Sequence, residues 1–471
     1  MVLSKISNQL KSSDTLYFAL LVFCFCLLYL VLHNIYGIFH LPFFWDELGV
    51  YSQSALFMAE HNLSILPASV PDNISRGHPL LATFLYSLFF KIFGTHLWVA
   101  KFTSILFYFV GIVFSYKTIR LFTTDFWAFL FTLIILVQPI FVSQSLMILP
   151  ELLLASITIA SIYYYLKEKY SLCILFLCLA VLTKESGLVL PIAFGISHVL
   201  VTRKWKQSLA LLLIPVAVFG IFLVIQKMQN GYYLYPLHES LIDFHWKYIL
   251  VKKSELYEFI FHSQGRSFFT YGILITLFIY FFRDKIVPYN IKEKKLFVLV
   301  AFLFVGGFLF TIINFYLARY SQFFLLPLLL LAVIFISKLP RLTKLSFSIL
   351  LIIIGIQNLD NKEKFVDSDM AYVAHIKAQQ RAFDYIMVSI PLDKNIGYNW
   401  PMSMNFWNKN IGFDLPYNIY HEIYKDKPIT TDYIALSNPG ELIEEDHFIK
   451  DYLFLKEFKV DYAIVRLYEK K

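Results

Sequence analysis

The chain has 471 residues, 58% of them hydrophobic and only 16% charged, with a mean hydropathy of +0.63 and a formal net charge of +8. That much apolar surface cannot be hidden in one soluble core, so lipid must solvate most of the molecule. The positive charge does not mark a nucleic-acid partner, because Lys and Arg fall in short clusters between apolar runs, the pattern of cytoplasmic loops in a membrane protein.

The first apolar run, near 15–39, follows Lys5 and Lys11. It is too long for a signal peptide and has no small-residue cleavage site after it, so it reads as a first membrane span. About ten more runs follow, near 97–116, 125–145, 150–166, 171–183, 186–201, 208–226, 268–282, 295–315, 319–337 and 344–357, each close to the length a packed spanning helix needs. Basic residues mark every second connection: Lys117 and Arg120, Lys167 and Lys169, Arg203 to Lys206, Arg283 to Lys295, Lys338 to Lys344. The orientation rule puts these, and the N-terminus, in the cytoplasm. The first loop (40–96), a large loop (227–267) and the tail then lie outside.

Within the first outer loop, Leu48 to Ala59 and Pro79 to Phe93 are amphipathic and are expected to lie in the interface plane. The tail carries a helical pattern from Ala371 to Ile390 and β-like runs at Asn395–Trp400, Asp432–Leu436 and Asp461–Leu467. The predicted architecture is a polytopic α-helical membrane protein of about eleven spans (1–357) with a small extracytoplasmic α/β domain (358–471). The four cysteines, Cys24, Cys26, Cys173 and Cys178, sit in apolar runs and support neither a disulfide framework nor a zinc knuckle.

Chemistry-bearing residues gather at the outer ends of these runs. Asp46 and Glu47 follow the first span, where carboxylates are costly unless solvated or used. Either could act as a general base on an acceptor hydroxyl, and since adjacent helical residues point about 100° apart, only one should face a reacting centre. The alternative is a helix cap from Asp46 and a dipole partner in Glu47. Arg76 and His78 flank a Gly-Pro turn. Either could contact phosphate, and His78 could ligate a divalent metal, with His238, His245 and His262 as partners that spacing does not choose between. Glu151 follows Pro150 at a helix start, as a dipole partner or as a group that orients a sugar. Lys184, beside Glu185, is pinned between two apolar runs on the side where few cations are expected. Arg319, beside Tyr320, opens the tenth run at the same level. Two cations there suit a phosphate leaving group, against the plainer role of interface anchoring.

Taken in order, Trp45-Asp46-Glu47, Gly77-His78-Pro79-Leu80, Pro150-Glu151, Leu182-Thr183-Lys184-Glu185 and Ala318-Arg319-Tyr320 with the later Leu326-Pro327 resemble the GT-C glycosyltransferases of the protein O-mannosyltransferase and lipid A aminoarabinose transferase superfamily. The resemblance covers roughly residues 15–340. It implies transfer of a sugar from a polyprenyl-phosphate carrier, usually with inversion, to a lipid, glycan or protein acceptor. The setting it implies is a bacterial inner membrane. By the same resemblance Asp46 is the base, Lys184 and Arg319 hold the carrier phosphate, and Glu151 lines the cavity. Arg76 is grouped with the phosphate ligands, and Glu185 and Tyr320 with the cavity wall. Relatives carry Lys-Pro-Pro or His-Pro-Pro at the turn where this chain has a single proline, Pro79.

A nucleotide-sugar donor is disfavoured, because the first outer loop has no Asp-x-Asp clamp. Asp367-Ser368-Asp369 matches one by letters and reads as helix-start acid. A lipid or sugar transporter is the competing reading, but the notable charges gather at one interface and no repeated halves are apparent. A non-catalytic scaffold whose tail binds a partner is the third.

Overall fold

A computed structural model describes residues 2–242, 244–272, 274, 290–314, 317–359, 367–400, 402–406, 412–413, 420–423, 429–438 and 450–471. Among them, seven helices are long and apolar enough to cross a membrane, and three shorter apolar helices coincide with further expected spans. The run expected at 268–282 falls mostly outside the described residues. The protein is an integral membrane protein.

The helices run in chain order as α1 (Val2–Tyr36), α2 (Ser52–Glu60), α3 (Leu81–Phe93), α4 (Leu97–Ile119), α5 (Asp125–Leu136), α6 (Pro139–Gln144), α7 (Glu151–Leu166), α8 (Tyr170–Thr183), α9 (Val189–Thr202), α10 (Trp205–Asn230), α11 (Trp246–Phe261), α12 (Ile291–Ile313), α13 (Gln322–Ile336) and α14 (Arg341–Leu359). A helix that is apolar all round belongs in the interior of a bundle. Accordingly α7 is buried along nearly its whole length and packs against α4, α8 and α13. The segment Ala318–Ile336 is 83% buried, whereas Thr15–Tyr36 is 22% buried and faces lipid. Small residues let α4 and α7 approach closely. A Cβ on Gly111 would lie 2.6 Å from Ser156 Oγ, and that hydroxyl donates to the Phe107 carbonyl at 2.8 Å.

The run expected as one span at 125–145 is broken. Pro139 has no N–H and forces the preceding residue out of the helical region. Gln138 is therefore extended, and its side-chain amide donates to the Ile134 carbonyl at 3.1 Å, satisfying an end of α5 before α6 begins.

The C-terminal unit has one helix, α15 (Tyr372–Ser389), on a five-stranded mixed sheet. Its strands are β1 (Ile396–Tyr398), β2 (Tyr420–Glu422), β3 (Tyr433–Ser437), β4 (Tyr452–Val460) and β5 (Ala463–Lys470), in the order β2-β1-β3-β5-β4. The strands β2 and β4 were not foreseen: β2 is short, and β4 exposes most of its side chains, so neither shows a clear alternation. This unit shares one core with the helical bundle through Tyr372, Ile376 and Phe383.

Candidate active site

Five charged side chains from five separate segments meet at one rim of the bundle. Asp46 lies in the turn before a short π-helical stretch (Glu47–Tyr51) that leads into α2. Glu151 opens α7, Lys184 follows α8, Arg319 lies in the 3-10 turn (Ala318–Ser321) before α13, and Asp367 precedes α15. Arg319 uses all three guanidinium nitrogens. Nε donates to Glu151 Oε1 at 3.3 Å, Nη1 to Asp367 and Nη2 to Asp46. Lys184 Nζ donates to the same Glu151 oxygen at 2.5 Å and lies 3.8 Å from the centre of the Tyr320 ring. Glu151 Oε2 is buried with no hydrogen-bond partner among the described residues. Burial raises the proton affinity of Asp367, an effect that Arg319 opposes.

The two neighbouring acids part here. Asp46 makes no capping hydrogen bond, which removes the cap reading, and its side chain is 32% exposed. Residue chemistry alone leaves Glu47 as able as Asp46 to act as the base, although the resemblance selects Asp46, and the structure sets Glu47 aside. It is fully buried, accepts from the Phe44 N–H at 2.9 Å and the Ile148 N–H at 2.8 Å, and stands 3.6 Å from the equally buried Lys101. Glu47 thus bolts the Asp46 loop to the loop before Glu151, with no face open to a substrate. Trp45 holds a left-handed φ of 54°, costly for a bulky side chain and found mainly where surroundings enforce it. The enforcing contacts come from the C-terminal unit: Trp400 meets the Trp45 ring at 5.3 Å, and His375 stacks on Phe44.

Beside this cluster lies a second group. His78 Nδ1 is 2.9 Å from Glu185 Oε1, the His238 ring centre is 4.4 Å from that of His78, and one donor atom from each of the three residues lies within 4.8 Å of the others. The large loop thus supplies His238, while His245 and His262 are not in the group. Two imidazoles and a carboxylate are the donor set of a borderline divalent cation such as zinc, with coordination positions to spare. Burial, with His78 close by, pushes the His238 imidazole down to about 4. Arg76, in a left-handed turn, stands on this side, near enough to His238 to add to that effect.

Residues 77–226 match the family model described as dolichyl-phosphate-mannose-protein mannosyltransferase. ArnT from Cupriavidus metallidurans bound to undecaprenyl phosphate superposes with a TM-score of 0.58 at 12% identity, over 95% of this chain and 97% of that one. This chain has the fold of that ArnT, a GT-C fold. The apo state of the same ArnT gives 0.57 at 13% identity with equal coverage. The oligosaccharyltransferase AglB from Archaeoglobus fulgidus, in complex with an inhibitory peptide and a dolichol-phosphate, gives 0.48 at 11% over 84% and 66%. No curated protein matches the sequence.

Two members of the rim were missed. Asp367 was read as helix-start acid, but it is Asp369 that accepts from the Ala371 N–H, at 2.8 Å. Nothing local in the sequence ties residue 367 to residue 319. Tyr51 is the other. Its phenol feels Glu151, Tyr320, Arg319 and Asp46, and its ring stacks on His78, so it bridges the two groups. Burial is the largest of the effects that raise its proton affinity. The sequence carried no signal for it, since the acid four residues before it, Glu47, is sealed away from the rim.

Proposed function

We propose that the protein transfers a sugar from a polyprenyl-phosphate carrier to a hydroxyl of a lipid, glycan or protein acceptor on the extracytoplasmic face of a bacterial inner membrane, with inversion. The observation that carries this reading is the convergence of Asp46, Glu151, Lys184 and Arg319 on one rim from distant parts of the chain. Asp46, the most exposed of the acids around Arg319, takes the proton of the attacking hydroxyl. Lys184 and Arg319 stabilise charge as it develops on the departing phosphate. The unpartnered Glu151 oxygen accepts a sugar hydroxyl, which orients the donor. Tyr320 and Tyr51 flank these charged groups.

His78, Glu185 and His238 would hold a divalent cation, which when bound would add positive charge next to Lys184 on the phosphate side. Metal analysis of the purified protein should find bound divalent metal that is lost from His78→Ala and His238→Ala. Equal metal content in all three proteins would end that assignment.

The deciding experiment incubates purified protein with radiolabelled polyprenyl-phosphate sugar and a membrane extract as acceptor source. Label should move to the acceptor with the wild type and not with Asp46→Asn. A transporter or flippase would instead carry the intact lipid-linked sugar across vesicles and leave its anomeric bond unbroken.

A further inference from the structure

Three carboxylates surround two cations at the rim, and Arg319 is 1% exposed with every guanidinium nitrogen committed. Three of its five N–H donors are taken and Asp46 is its most exposed partner, so an arriving phosphate anion meets Arg319 on the Asp46 side and competes there with that carboxylate. The three carboxylates differ in how firmly they are held. Glu151 is 3% exposed and shared with Lys184, and Asp367 is 8% exposed, whereas Asp46 is 32% exposed.

Asp367 is also bolted through its backbone. Gln144 Nε2 donates to its carbonyl at 2.6 Å, and Gln322 Nε2 in turn donates to Gln144 Oε1 at 3.1 Å. Next to it, Gln264 Nε2 donates to the Ser368 carbonyl at 2.8 Å, and Arg266 Nη1 donates to Gln264 Oε1 at 2.8 Å. These amides come from α6, α13 and the turn after α11, and all are buried. Such a fixed acceptor sets the orientation of the guanidinium it receives.

Resting on the phosphate-transfer reading above, we propose that Asp367, supplied by the C-terminal unit, is a positioning residue for the carrier phosphate. Asp367 and Glu151 grip Nη1 and Nε, and so aim Nη2 at the open side of the rim. The carrier phosphate takes Nη2 from Asp46. Asp46 is thereby released from its cation at the step that needs a free carboxylate. Donor binding and unmasking of the base become one event. Without Asp367, Nη1 and Nη2 can close as a fork on Asp46, and the phosphate must then break a bidentate pair.

A simple count of charge predicts the opposite, since deleting a carboxylate next to a phosphate site should tighten phosphate binding. Binding of undecaprenyl phosphate to the full chain in detergent, with thermal unfolding measured in parallel, separates the two. Asp367→Ala should weaken binding by about tenfold and raise the donor KM with little loss of kcat. Asp367→Asn, which keeps an acceptor for Nη1, should bind within about threefold of the wild type or more tightly. Binding by Asp367→Ala equal to or tighter than wild type would overturn the proposal, as would equal losses in the Ala and Asn variants. A lowered melting temperature with a fall in kcat and an unchanged KM would reduce Asp367 to a domain clasp and overturn it as well. Arg319→Ala is the control. If the wild type does not bind the lipid, or Arg319→Ala binds it equally, the transfer reading itself fails and this inference falls with it.

Discussion

Asp46 and Glu47 are chain neighbours, each paired with a cation, yet the pairs are built for different ends. Glu47 and Lys101 are sealed from solvent, and the carboxylate satisfies two backbone N–H groups. Asp46 and Arg319 form a pair open on one side, and the carboxylate caps nothing. A buried carboxylate that satisfies backbone N–H groups from two loops holds those loops in register, and removing it strands the buried cation beside it. A half-exposed charge can exchange its partner, and exchange is what a reaction requires. The difference arises because the turn at Trp45–Asp46 aims one acid into the loop before α7 and the other at the rim.

The comparison breaks most sharply at Asp46. The variant Asp46→Asn should lower transfer by roughly 10³-fold, within the range typical of general-base loss, with an unchanged melting temperature. Near-wild-type turnover would return Asp46 to the status of a surface acid. The mirror experiment is Glu47→Ala, expected to cost about 3–5 kcal/mol of stability by leaving Lys101 uncompensated. Thermal unfolding in detergent reads this, and the double variant Glu47→Ala/Lys101→Met should recover part of the loss. A stable Glu47→Ala protein with lost activity would contradict the division of labour drawn here.

Smaller effects sharpen it. For Lys184→Ala, loss of a charge-assisted contact should weaken donor binding by about 10- to 100-fold, measured as the apparent affinity for the carrier lipid. The smallest expected effect lies at the seam between the C-terminal unit and the Asp46 loop. Burial pushes His375, stacked on Phe44 and edge-on to Tyr462, down to about 4. Below its ordinary value of 6.5 the unfolded chain binds a proton that the folded chain refuses, so stability falls as pH drops from 6.5 toward 4. Between pH 6.5 and 5 the loss should approach about 2 kcal/mol, and His375→Phe should flatten that slope in unfolding curves.

How much was legible follows from the range over which each signal acts. The spans were readable because each has its own apolar length and charged ends, and the break at Gln138 was implicit in Pro139, which hydropathy alone does not register. Lys184 and Arg319 stood out because a cation at that level is anomalous by itself. Glu151 was visible only as a helix-start acid with two readings. Asp367 stood out only as half of an Asp-x-Asp letter match, since an acid before a helix is ordinary, and its meaning comes from Arg319, 48 positions away. Of the three histidines offered as partners to His78, only three-dimensional proximity chose His238.

By itself the sequence determined the solvent of the protein, the periodic placement of its helices and which side chains are expensive enough to need a reason. These are properties of local composition, and each residue carries its share of them wherever the rest of the chain goes. Tertiary structure alone decided which of two adjacent acids is sealed and which is open, which histidine joins His78, and that the C-terminal unit places a carboxylate on Arg319. Those outcomes depend on distances between segments far apart in sequence, and such distances are fixed only when the helices pack.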